Sequence, residues 1–228
     1  RDDQGPGRKK MASAGRLVQR LLEPYASQTL RVVASPKKAL STVKTAEPEE
    51  VYPLAMKLTH WAVGTGVIGC FGTVQAAMYT TKEYKPVGMT KGELMGLHKS
   101  CGLLVGAAVV PRIALRLASK LPPELPGHTI ELIAAKLGHY ALYAGMLFMP
   151  ASGIVMGYYG GKGLPFFGYH IPGAPPEKKN GALAGKAFKA HKLVGQAFEI
   201  ATAGHLGAVG WHMLKGQAIW RRIIPGMS

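Results

Sequence analysis

Acidic residues are scarce in this sequence: 12 Asp and Glu stand against 28 Lys and Arg in 228 residues, a formal charge of +16. They are almost missing from its apolar stretches, which disfavours a Ser/His/Asp arrangement; Glu199 is the exception, and nothing in the sequence assigns it a role. Cysteine is equally sparse. Cys70 and Cys101 both fall within apolar runs, where a thiol behaves as a small hydrophobe, so neither a disulfide framework nor a Cys-rich metal site is expected. There is no CxxCH for covalent haem, no HExxH, and no Walker or dinucleotide fingerprint followed by its strand and helix. GYYGGKG is glycine-rich but lies in a link after an apolar run, outside the context a phosphate loop needs. The positive charge would suit nucleic acid, yet no nucleic-acid module is visible and aromatics do not interleave with the basic runs, so no nucleic-acid partner is expected. Cations flanking apolar spans are instead what a membrane surface attracts, and lipid is the expected environment.

The overall composition hides this. Hydrophobic residues make up 47 % and mean hydropathy is only +0.09, but the apolar content is concentrated in four stretches after a polar, basic first 50 residues. The spans are read as about Leu54 to Tyr79, about Leu94 to Ala118, about Ile133 to Tyr159 and about Ala190 to Leu214. Each is long enough for the ~20 helical residues that match a ~30 Å hydrocarbon core. Pro111, Pro150 and Gly153 are expected to bend their helices. Gly, Ala, Ser and Thr within the spans suit close packing against neighbours or a flat prosthetic group. The expected fold is therefore all-α, an integral membrane four-helix bundle over residues 51–228. Residues 1–50 are expected to form a basic N-terminal extension or a transit-like segment, rich in Arg, Lys, Ser and Ala and poor in acids over most of its length.

Four spans put both termini on one side. That side carries 18 of the Lys and Arg and the opposite side 10, which places the termini in the cytoplasm or matrix, although much of the excess comes from the N-terminal arm.

Six of the eight histidines lie in or beside the spans: His60, His98, His139, His191, His205 and His212. Metal-binding groups in a membrane interior are costly and mark function. His191 and His205 are 14 residues apart on one helix, which returns to within ~40° of the same face and separates them by ~21 Å. One helix can thus ligate two irons stacked through the membrane. Depth then pairs His98 with His191 near one surface and His60 with His205 near the other. His139 begins a span at the second level and competes with His60 for the same iron; geometry alone leaves that choice open. Two axial imidazoles leave no open position for oxygen, which suits electron transfer. Gly64, Gly102 and Gly195 each stand four residues after a candidate ligand, where a missing side chain lets a porphyrin approach the backbone.

LTHW in the first span, LHKSCGLLVGAAVVPRIALR in the second, GHYALYAGMLFMPASGIVMG with GLPFFG in and after the third, and AHKLVGQAFEIATAGHLGAVGWH through RRIIPGM resemble the bacterial-type cytochrome b561 family. That superfamily includes the di-haem superoxide oxidase and the cytochrome b subunits of nickel-iron hydrogenases and formate dehydrogenases. The resemblance covers about residues 52 to 227. It implies two haem b groups, one between His60 and His205 and one between His98 and His191. It implies that His139 is a recurrent third-span histidine, not an axial ligand, near a haem propionate or quinone. It also implies that Arg112 and Arg116 neutralise propionates near the terminus side, lipid phosphate contact being the alternative.

The function expected first is electron transfer between a quinone, with ubiquinone as a further ligand, and a redox partner. A superoxide:ubiquinone oxidoreductase is the enzyme alternative. It is supported by a cationic link with Lys162, Lys178, Lys179, Lys186, Lys189 and Lys192 against Glu177, which would steer a small anion. A haem-bearing accessory subunit of a larger respiratory or photosynthetic complex is the third. The N-terminal segment favours the mitochondrial inner membrane, with plastid thylakoid and bacterial plasma membrane as alternatives.

Overall fold

Polar residues before the second, third and fourth long helices, rather than the apolar runs alone, set where those helices begin. The computed structural model describes residues 52–120 and 122–227; the expectations for residues 1–50 lie outside them. Four long helices, α1 (Leu54–Tyr79), α2 (Lys91–Ala118), α3 (Thr129–Tyr159) and α4 (Gly181–Leu214), carry the fold. α1 has the expected bounds. The other three begin earlier than their apolar runs, because capping groups in polar sequence start them. Thr90 Oγ1 accepts from the Glu93 amide at 3.3 Å while Glu93 Oε2 accepts from the Thr90 amide at 2.7 Å, a capping box that opens α2. Glu131 Oε2 accepts from the His128 amide at 3.3 Å at the start of α3. Asn180 Oδ1 accepts from the Leu183 amide at 2.9 Å, so that α4 begins nine residues before Ala190. Both α2 and α3 run through their internal prolines, Pro111 and Pro150.

α1, α2 and α3 are long and apolar enough to cross a membrane. α4 is the longest of the four at 34 residues, but Lys186, Lys189, Lys192 and Gln196 occupy its first half and Glu199 and His205 interrupt its apolar second half. The groups that lower its hydropathy thus include those that make it chemically interesting.

The helices alternate in direction, α1 packing on α2, α2 on α3 and α3 on α4. The ring contacts Phe71–Phe198 and His60–His205 bring α1 beside α4 as well. Val63, Val67, Val105, Val109, Met146 and Phe198 form the buried core. Small residues let these helices approach closely. A Cβ on Gly66 would lie 2.6 Å from Val105 Cγ2, one on Gly106 would lie 2.9 Å from Pro150 Cβ, and one on Gly145 would overlap the Phe198 ring.

A small hairpin and a short terminal helix complete the ends. β1 (Leu164–Phe166) pairs antiparallel with β2 (Tyr169–Ile171), Phe166 opposite Tyr169, through a two-residue turn. Both turn residues have positive φ, Phe167 at 43° and Gly168 at 93°, the pattern of a primed hairpin turn. A phenylalanine there is strained, and Ser100 holds it: the hydroxyl donates to Gly96 O of its own helix at 2.9 Å, and its oxygen accepts from the Phe167 amide at 3.0 Å. At the opposite end, α5 (Ile219–Ile223) and the following turn are strapped to α1. Lys57, only 4 % exposed, donates to Arg221 O at 2.7 Å and Met227 O at 2.6 Å, and Trp61 Nε1 donates to Ile223 O at 2.7 Å.

Candidate functional site

The alternating helices sort the histidines into two levels. At the end near the hairpin, the His98 ring of α2 faces the His191 ring of α4, with 6.3 Å between centres and 81° between planes. At the end near the terminal strap, His60 of α1 and His205 of α4 stand 6.2 Å apart between centres. His139 of α3 joins this second level, its ring centre 5.5 Å from that of His205. An imidazole nitrogen lies roughly 1.1 Å from its ring centre and a metal–imidazole bond is about 2 Å, so two imidazoles facing each other across one metal are about 6.2 Å apart between centres. Two of the three spacings match that value, and His139–His205 is shorter.

The hydrogen bonds to the rings differ between levels. His98 donates from Nδ1 to the Cys70 carbonyl at 3.0 Å, and the Cys70 thiol donates back to His98 O at 3.7 Å, a reciprocal link between α1 and α2. His191 Nδ1 lies 2.9 Å from Ser152 Oγ. The Ser152 hydroxyl directs its proton to its own helix, 2.8 Å from Phe148 O and 3.0 Å from Met149 O, so its oxygen is left to accept from His191. This network assigns the Nδ1–H tautomer to both rings and leaves each Nε2 lone pair free, able to hold a metal.

At the other level, Arg112 Nη2 donates to His60 Nδ1 at 3.1 Å and Nη1 donates to Met56 O at 3.3 Å. Ligation through Nε2 requires a proton on Nδ1, so a metal held by His60 would displace Arg112 and free its guanidinium. His139 donates from Nδ1 to Ala135 O at 2.7 Å. Arg116 reaches Tyr52, its Nη1 3.1 Å from the hydroxyl and its guanidinium 5.7 Å from the ring centre. Both expected arginines therefore stand at the level of His60 and His205. His212 lies off this site, bonded through Nδ1 to Gln217.

The donor set suits haem better than a naked ion. Among the described residues no group of three or more His, Cys, Asp or Glu is disposed to hold a metal ion. Pairs of imidazoles at the spacing above need a ligand that fills the remaining positions around its metal itself, as a porphyrin does. Space beside the rings agrees in two of three places: a Cβ on Gly64 or on Gly102 would meet nothing within 4 Å, whereas one on Gly195 would meet Met149 Cε at 3.1 Å. The six lysines of the link and of the start of α4 are all exposed, on the side of His98 and His191.

Sequence reasoning missed the partners that orient the rings. The Cys70 carbonyl has no side-chain signature, and Ser152 lies on a different helix from the histidine it serves. Gln75, whose Nε2 donates to Glu199 Oε1 at 2.9 Å, was equally unmarked.

Comparison with known proteins agrees with the resemblance read from the sequence. The family described as prokaryotic cytochrome b561 matches residues 51–226. The chain is 27 % identical over 136 residues to the "Probable superoxide oxidase CybB" of Yersinia pestis, an alignment covering 59 % of this chain and 72 % of that protein. It is 35 % identical over 126 residues to the "Cytochrome b561 homolog 2" of Escherichia coli (strain K12), covering 55 % of this chain and 64 % of that protein, just under two thirds of its length.

Proposed function

The chain belongs to the prokaryotic cytochrome b561 family, and on that premise we propose that it carries electrons through two b-type haems, one between His98 and His191 and one between His60 and His205. Its three apolar helices and its family make it an integral membrane haem protein. In this reading α4 makes the fourth crossing, its polar groups turned to the haems and to its neighbours.

The observation that carries the proposal is the His98–His191 pair: ring centres 6.3 Å apart, and each Nδ1 engaged by a group of another helix. Held between two imidazoles, haem iron supplies one-electron chemistry with no open position for oxygen. The rest is the protein's work. The Cys70 carbonyl and Ser152 orient the two rings and raise their basicity as ligands. Gly64 and Gly102 leave room beside His60 and His98. At the second level, ring spacing favours His60 over His139 as the partner of His205. That spacing depends on where the helices stand, whereas Arg112 leaves His60 by rotating one side chain. Arg112 and Arg116 then bring two cations to a level where haem propionates need compensation. His139 is left as a neighbour of His205, placed for a propionate or a quinone head group. A quinone, ubiquinone among them, and a protein redox partner complete the proposed circuit. The prokaryotic family and the bacterial origin of both relatives favour a bacterial plasma membrane. The mitochondrial location expected from the N-terminal segment has no support in them.

The test is a reduced-minus-oxidised spectrum with pyridine haemochrome quantification of the purified chain. About two haem b per chain in a low-spin spectrum is the expected result; a chain without haem overturns the reading.

A second reading, superoxide:quinone oxidoreductase, is favoured by the name of the Yersinia pestis relative and by six exposed lysines beside the His98–His191 level. If it holds, superoxide reduces the haems in a stopped-flow mixture at a rate that falls steeply with added salt, as steering of an anion requires. Absence of reduction by superoxide leaves the carrier reading alone.

A further inference from the structure

Each of the four long helices has a central stretch that holds almost no charge. In the intervals between Lys57 and Lys82, Lys99 and Arg112, Lys136 and Lys162, and Lys192 and Lys215, the sequence contains a single Asp, Glu, Lys or Arg, and that residue is Glu199. It lies eight residues after His191 and six before His205, about 12 Å and 9 Å along the axis of α4, and so between the two levels. Its side chain is half-buried and accepts a hydrogen bond from Gln75 Nε2 of α1 at 2.9 Å. Its neighbour Phe198 is buried against Phe71, with 5.6 Å between ring centres.

A carboxylate at such a depth is costly and is retained where it performs something. Linking α1 to α4 does not require it, since an amide at position 199 would accept from Gln75 just as well at lower cost. What a carboxyl group adds is the capacity to bind a proton. Gln75 suits that use: its amide donates to a carboxylate, and its carbonyl oxygen accepts from a protonated acid. An electron entering a low-dielectric interior adds an uncompensated negative charge, and a proton bound nearby removes it.

We propose that Glu199, held by Gln75 between the two histidine pairs, takes up a proton as the protein is reduced, so that electron transfer here moves a proton into the membrane interior. This rests on the haem reading above. For the first electron delivered by a donor of the quinol or superoxide class, one proton from the aqueous phase forms an O–H bond on the Glu199 carboxylate, which holds one proton and no more. The electron stays with the haem iron and the net charge of the interior is unchanged; reoxidation returns both. The other titratable groups toward this stretch are Cys70 of α1, Cys101 of α2, Tyr140, Tyr143 and His139 of α3, and the paired histidines, with Lys192 beyond His191. None of them is a carboxyl group.

The experiment is a redox titration of the full purified chain, followed by haem absorbance, at pH steps from about 5.5 to about 8.5. A tenfold change in proton concentration corresponds to about 59 mV for a one-electron couple with one linked proton. In the wild type the midpoint of at least one haem falls with rising pH at up to that slope. In Glu199→Gln, with both haems bound, the slope is lost over the same range. Glu199→Asp keeps it, displaced along the pH axis, and Gln75→Leu displaces it too. An infrared difference spectrum shows a protonated carboxyl band on reduction that Glu199→Gln lacks. A pH-independent wild type, or an unchanged slope in haem-replete Glu199→Gln, overturns the inference. A chain that binds no haem fails the haemochrome measurement first, and takes this inference with it.

Discussion

His98 and Cys70 hold each other twice, the imidazole Nδ1 donating to the Cys70 carbonyl and the Cys70 thiol donating to the His98 carbonyl. The ring is thereby fixed against α1 by a backbone atom, which no side-chain substitution at position 70 removes. Cys70→Ala is accordingly expected to keep both haems with an almost unchanged spectrum, whereas His98→Ala or His191→Ala loses one haem of the two. Haemochrome stoichiometry separates these outcomes, and two haems retained in either histidine variant would refute that pair.

At the second level, His60→Ala or His205→Ala should lower the content to about one haem per chain, while His139→Ala keeps two and slows reduction by quinol. Loss of a haem from the His139 variant would make it the ligand and His60 the neighbour. Spacing argues against that, since the His139–His205 rings are too close at 5.5 Å.

Ser152 orients His191 from α3, so Ser152→Ala removes the acceptor without touching the ligand. Loss of such a supporting bond weakens metal affinity about 10–100-fold. The variant is expected to retain its absorption maxima but to lose haem to apomyoglobin faster than the wild type; equal transfer rates would show that Ser152 does not matter to the site.

Gly145 allows α3 to meet the Phe198 ring of α4. Gly145→Val overpacks this contact and should destabilise the protein by about 1–3 kcal/mol, seen as a lower thermal midpoint in detergent. Adding Phe198→Ala should recover part of that loss, because the two positions share one space. Additive effects would exclude the contact.

Lys57 is buried, and its ammonium group donates to Arg221 O and Met227 O. Lys57→Met leaves those acceptors unpaired, at about 1–3 kcal/mol each where they stay shielded from water. The expected result is protease cleavage within residues 216–227 at a concentration that leaves the wild type whole.

Most of the helical plan was readable from the sequence, and where it was not the reasons are local. The bounds of α1 agree because its apolar run begins just after Pro53 and ends at Thr80. The starts of α2, α3 and α4 sit in polar sequence, where Thr90, His128 and Asn180 flank the first turns and hydropathy carries no signal. The hairpin was missed because its strands have three residues each, too few for an alternation to show. The spacing of His191 and His205 made two levels legible. The atoms that tune them were not, since they belong to a backbone carbonyl and to a serine on another helix.

α4 contributes one histidine to each pair, and it is the last of the long helices in chain order. During synthesis, the first three helices can enter the bilayer while each haem pocket still lacks one of its two proposed ligands. Neither proposed pair is complete until the ribosome has passed His191, and the His60–His205 pair waits for His205. With those ligands, cofactor insertion would be tied to the synthesis of α4, and a chain truncated before α4 would have no finished pocket in which to trap a haem.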